Sequence, residues 1–137
     1  MRNRVVAYVA VAATGRTAAF GLWAVRSKNG KRLTLCRGER CPRDIRNSHE
    51  AMPYAMGRGL DLMRERWPDA REVEFVSHNS QALRRVKGVR GDMDVCSRRS
   101  RSYRGYLRWC AEKARGIING WRTEETPAPD IAAVLED

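Results

Sequence analysis

From Val5 to Ala13 the chain reads VVAYVAVAA, an uncharged run rich in β-branched side chains. A run of this length and composition reads as a central β-strand covered on both faces. Thr14-Gly15-Arg16-Thr17 then reads as a turn, and Ala18–Arg26 as a second strand. Asn29-Gly30 is the strongest hairpin signal in the sequence, because both residues tolerate the positive φ of a type I′ turn. Arg32–Arg37 follows as a third strand, so the chain opens as a meander that needs a covering layer on each side. The basic loop Arg37–Arg43, with Pro42 inside it, breaks the pattern.

The first covering element is predicted between Ser48 and Trp67. Met52, Met56, Leu60, Met63 and Trp67 recur at three- and four-residue spacing and form one apolar stripe, a core face rather than a cofactor box. Ser48 is a candidate N-cap, although Pro53 then lies deep in the helix unless the regular turns begin near Met52. Gly57 and Gly59 each weaken the helix by roughly 1 kcal/mol relative to Ala; their small size suits close packing on the sheet. Pro68 ends it. Val73–Ser77 is a fourth strand, Ser80–Val86 a second helix, and Tyr103–Arg115 a third. Ile117–Arg122 reads as a last short strand and Pro129–Glu136 as a terminal helix. No repeat or linker divides the 137 residues, which are expected to form a single domain.

Two motifs sit at fixed places in this order. Asn47-Ser48-His49-Glu50 opens the first helix, and the fourth strand runs straight into His78-Asn79-Ser80-Gln81. Together with Asp130 before the last helix, they resemble type 1 ribonuclease H, whose first helix brings a catalytic Glu and whose fourth strand ends in Asp-Ser-Gln. The resemblance spans nearly the whole chain in element order and implies an α/β fold. That fold is a five-stranded mixed sheet, three antiparallel strands and then parallel strands, flanked by helices. It also implies that Asn47 and Gln81 touch nucleic acid, and that Glu50, Asn79 and Asp130 stand at catalytic positions.

The departures concern chemistry. Two-metal hydrolysis holds divalent ions on carboxylates, which activate water and stabilise the leaving oxygen. Mg²⁺ is hard and demands anionic oxygen ligands. Where the resemblance calls for a leading Asp, the first strand offers only Ala10 or its neighbour Val9, and the next carboxylate position is Asn79. Glu50 and Asp130 would leave a remnant holding one Mg²⁺ or Mn²⁺ ion weakly. The mobile His before the family's last Asp is also missing, since Gly120–Pro129 contains none. His49 and His78 sit beside motif residues, but neighbours on a helix or strand point elsewhere. They are expected to stay out of the cleft.

Charge indicates the partner. The chain carries 27 Lys+Arg against 16 Asp+Glu, a net charge of +11. Such an excess favours nucleic acid, because each neutralised phosphate releases a counterion. The densest stretch is Arg84–Trp109, with Arg84, Arg85, Arg98, Arg99, Arg101 and Arg104 around Tyr103, Tyr106 and Trp109. Guanidinium forks suit phosphates and aromatic faces suit bases, although Trp109 is expected in the core. Arg37, Arg40, Arg43 and Arg46 form a second cluster leading into the Glu50 helix.

No long apolar stretch suits a membrane span. Arg2 and Arg4 before Val5–Ala13 imitate a signal peptide, but the run is short and contains Tyr8, so a cytoplasmic protein is expected. Cys36, Cys41, Cys96 and Cys110 lack zinc spacing, and free thiols are favoured over a disulfide or zinc. The expected function is binding of RNA, RNA–DNA hybrid or structured duplex with nuclease activity lost. Two alternatives stay open: an active ribonuclease H using Asp44, Asp92 or Asp94, and a structural subunit of a ribonucleoprotein complex.

Overall fold

The computed structural model describes residues 4–78, 88–90, 93–100, 105–120 and 125–126. Strands β1 (Arg4–Ala13), β2 (Ala18–Lys28) and β3 (Lys31–Arg40) form the expected antiparallel meander. Asn29 and Gly30, at φ +54° and +75°, make the two-residue β2–β3 turn in the left-handed conformation that a type I′ turn requires. Helix α1 (Ser48–Arg66) leads to β4 (Glu72–Ser77), which lies parallel to β1. A short hairpin follows, β5 (Gly88–Arg90) and β6 (Met93–Arg99), with β6 parallel to β4. Helix α2 (Tyr106–Ile118) and the two-residue β7 (Glu125–Thr126) complete the described chain.

The sheet order is β5-β6-β4-β1-β2-β3-β7. Its body is the five long strands β6-β4-β1-β2-β3, three antiparallel and then parallel, as expected. The fifth of these is not Ile117–Arg122. Ile117 and Ile118 instead end α2, because Leu107, Cys110, Ala111, Ala114 and Ile117 make one buried stripe at helical spacing. The β-branched pair therefore serves a helix face. The fifth strand comes from Met93–Arg99, where Val95 is buried between exposed Asp94 and Cys96. The helix predicted at Tyr103–Arg115 begins and ends three residues later, and those predicted at Ser80–Val86 and Pro129–Glu136 lie outside the described residues.

β1 is covered on both sides. Val5, Ala7 and Val9 are fully buried with Phe20, Leu22 and Phe75 against the α1 stripe of Met52, Met56, Leu60 and Met63. Each such side chain contributes roughly 1.5–3 kcal/mol before entropy is counted. On the opposite face Tyr8 and Ala10 pack with Trp23, Cys36 and Cys110 beneath α2. The close helix–sheet approach is here, not at Gly59: a Cβ on Gly59 would meet Leu22 at an ordinary 3.5 Å. All four cysteines are free thiols, and only Cys96 is exposed.

Two ion-pair clusters tie the sheet to the chain around α1. Arg26, 1% exposed, grips Asp69 with two bonds of 2.9 and 2.8 Å, and Lys28 adds a third at 3.1 Å. These bonds hold the Asp69 carboxyl well below the usual range. Burial alone would raise the pKa of Glu39, but hydrogen bonds from Arg58 and Arg37 outweigh it and keep the group low. A carboxylate with a lowered folded pKa contributes stability that is complete above its unfolded pKa and lost as pH falls through the folded one. Urea midpoints are therefore expected to be flat from pH 7 to about 5 and to fall below about pH 4. Glu39→Gln should make that fall shallower, and an unchanged slope would contradict the pairing.

Candidate nucleic-acid interface

The carboxyl ends of the parallel strands β1, β4 and β6 gather at one edge of the sheet, where ligands commonly bind in open α/β folds. The entrance of α1 lies at the same edge. Asn47, not Ser48, is the N-cap: its side-chain oxygen accepts from the Glu50 N–H at 2.9 Å. The regular helix starts at Ser48 and accommodates Pro53 in its interior. Asn47 and Glu50 are both exposed. The cap uses only the Asn47 side-chain oxygen.

Beside this entrance is a cavity of about 170 Å³. Its described lining is apolar Ala10, Val11, Met52 and Leu107, with polar Ser48, Ser77 and His78. Of the two candidates for the missing leading Asp, Val9 is fully buried under α1, so Ala10 is the residue that faces the site. His78 was expected to turn away, yet it lines the cavity. It lies one residue past the end of β4, so strand alternation no longer applies to it. Ser77 is buried and contacts the Met52 sulfur at 3.9 Å.

The chemistry of this donor set does not fit a divalent cation. Of the seven described lining residues four are aliphatic or thioether, two are hydroxyls and one is the imidazole of His78; none is an acid, whereas Mg²⁺ needs anionic oxygens. Among the described residues no group of three His, Cys, Asp or Glu side chains could hold a metal ion. The helix that follows the fifth long strand is α2, and its first turn contains no acidic residue. The carboxylate expected to open a last helix is Asp130, outside the described residues. Asn79, Asp130 and Gln81 lie outside the described residues, as do Arg84, Arg85, Arg101, Tyr103 and Arg104.

Of the basic residues, Arg99 is exposed, pairs in register with cavity-lining Ser77, and makes no ion pair among the described residues. Arg98 is exposed and reaches Glu74 at 3.4 Å, a carboxylate it shares with Arg4. Arg43 and Arg46 are exposed at the approach to α1. The other half of that cluster has structural work instead: Arg37 binds Glu39 at 2.6 Å, and Arg40 donates to the Ile117 carbonyl at 2.8 Å. Tyr106 and Trp109 turn onto the sheet. Tyr106 stacks on Tyr8 at 4.4 Å, while Trp109 meets Trp23 edge-on at 5.2 Å, so neither lies free along a groove.

Sequence reasoning missed the lining by Ser48, Met52, Ser77 and Leu107. The Met52 stripe was visible but assigned wholly to the core. Leu107 reaches the site only because α2 follows β6, a connection that rests on the unrecognised strand.

No helix among the described residues is long and apolar enough to cross a membrane. No protein-family model matches the chain, nor does any curated protein. Solved structures do match. The ribonuclease H1 of the halophilic archaeon Halobacterium salinarum aligns with a TM-score of 0.60 at 15% identity, over 86% of this chain and 99% of its own. LC9-RNase H1, a type 1 enzyme with the type 2 active-site motif, aligns with a TM-score of 0.62 at 10% identity, over 93% of this chain and 79% of its own. At these identities the likeness establishes backbone architecture, and the chain has the ribonuclease H-like fold.

Proposed function

We propose that this protein binds RNA, an RNA–DNA hybrid or structured duplex through the edge formed by β1, β4, β6 and the start of α1, without hydrolysing it. The observation that carries this reading is the cavity at Ala10, whose described lining holds no carboxylate, where cleavage in this fold would require carboxylates on metal ions. Glu50, with Asn79 and Asp130, is then a remnant rather than a working set, and neither Mg²⁺ nor Mn²⁺ is required. The net charge of +11 supplies the complementary half of the reading. Exposed Arg43, Arg46, Asn47, Arg98 and Arg99 are the described residues proposed to meet the strand. Gln81, Arg84, Arg85, Arg101, Tyr103 and Arg104, outside the described residues, are proposed as further contacts with nucleic acid. A cytoplasmic location accords with such a partner.

The test is electrophoretic shift of labelled hybrid, single-stranded RNA and duplex by the wild-type protein and by the Arg98→Ala, Arg99→Ala, Arg101→Ala triple variant. Phosphate contacts position a strand without reading it, so the triple variant should weaken binding by a similar factor for every sequence. Loss confined to one sequence would mean base readout, and no shift with any nucleic acid would refute the proposal.

A further inference from the structure

The cavity at Ala10 has a size and chemistry of its own. At about 170 Å³ it is smaller than the roughly 300–1,000 Å³ pockets that take cofactors and drug-sized ligands. A single ring system suits it. Ala10, Val11, Met52 and Leu107 offer apolar surface to the faces of a planar group, and the exposed Ser48 hydroxyl is a polar partner for its edge, with Ser77 and His78, which hold partners of their own, completing the lining. Ser48 is exposed and Ser77 buried, so the polar groups run from mouth to floor.

Two arginines neighbour cavity-lining residues, one by strand register and one along the chain. Arg99 is the register partner of Ser77 on the neighbouring strand, and the Ser100 N–H donates to the Ser77 carbonyl at 2.9 Å. Arg46 lies two residues before Ser48, and its carbonyl accepts from the Gly15 N–H at 3.1 Å, which ties that approach to the end of β1. A strand whose phosphates meet Arg46 on one side and Arg99 on the other would pass over the opening. An apolar slot with a polar edge, set between two phosphate-binding groups, is complementary to a nucleotide turned out of its stack.

We infer that this cavity receives one unstacked nucleobase from the bound strand. The inference rests on the nucleic-acid-binding reading above and adds a preference to it. Turning a base out of a duplex costs a few kcal/mol, and least where the base is already unpaired. The protein therefore favours strands with a bulged or single-stranded nucleotide over fully paired duplex.

The experiment uses the whole chain and three hybrids: one fully paired, one with a single unpaired 2-aminopurine in the RNA strand, and one with an abasic nucleotide at that bulge. The expected result is roughly tenfold tighter binding of the base-bearing bulge than of its abasic twin, the scale of one stacked base, with altered 2-aminopurine fluorescence. Ala10→Leu, which fills the slot, should erase the difference, read as the ratio of the two bulges' affinities within the same variant. Should that variant not fold by circular dichroism, Ser48→Trp at the exposed mouth makes the same test. Equal affinity for the base-bearing and abasic bulges, with binding retained, overturns the inference and leaves the nucleic-acid reading standing. A preference that persists in the folded, filled variant also overturns it, and binding to none of the three overturns both.

Discussion

Replacing Gly21 by alanine is expected to cost ~3 kcal/mol or more of stability, at or beyond the upper end of ordinary overpacking. A Cβ at this position would lie 2.1 Å from the Cys110 carbonyl oxygen and 2.8 Å from both its carbonyl carbon and its Cα. These are helix backbone atoms, so no side-chain rotation relieves the clash, and α2 itself must lift from β2. Tyr106 and Trp109 on that helix would then lose their ring contacts with Tyr8 and Trp23 of the sheet. Gly38 makes an instructive control: its nearest atoms are Ile117 Cδ1 at 2.5 Å and Lys113 Cγ at 2.7 Å, both on flexible side chains, so alanine there should cost less. At Gly59 alanine meets only ordinary contacts and should stabilise α1 by about 1 kcal/mol through helix propensity. Urea unfolding of the three variants measures the ranking. Equal losses at Gly21 and Gly59 would contradict the placement of α2.

The second large effect concerns salt. If about five phosphates are neutralised, affinity for hybrid should fall on the order of a hundred- to a thousandfold between about 50 and 200 mM monovalent salt. Arg43, Arg46 and Arg99 form no ion pair among the described residues, so their charges are available to phosphates. Arg37 and Arg58 are spent on Glu39 and should contribute little. A titration by fluorescence anisotropy gives the slope directly. A near-flat slope would mean that binding, if any, is not driven by phosphates.

Much of the fold was legible because its signals are local. Asn29-Gly30 demanded one turn type, and the charge-free Val5–Ala13 run could only be a strand covered twice. Spacing of Met52, Met56, Leu60 and Met63 marked the inward face of α1. The fifth strand was not legible for the opposite reason. Among its described side chains β6 has one buried apolar residue, Val95, beside Asp94, Ser97, Arg98 and Arg99, and it is a strand because β4 lies alongside it. Its arginines declared charge and concealed secondary structure. With that strand missed, Ile117 and Ile118 invited a strand assignment, although their helical spacing from Cys110, Ala111 and Ala114 was present in the sequence. The candidate site divided along the same line. The absent carboxylate could be read from the uncharged first strand once the resemblance gave the position, Ala10 or Val9. The acid-free start of α2 could not, since it depends on knowing which helix follows the fifth strand. His78 entered the cavity because β4 ends one residue earlier than alternation assumes.

The direct measurement is incubation of the purified wild-type protein with an end-labelled RNA–DNA hybrid in Mg²⁺ and, separately, in Mn²⁺, scored on one gel for shift and on another for cleavage. A shifted, intact hybrid is expected in both ions, with Glu50→Gln binding it equally well. Cleavage dependent on Mg²⁺ and lost in Glu50→Gln would contradict a binding protein without hydrolysis, and would require carboxylates outside the described residues to complete the site.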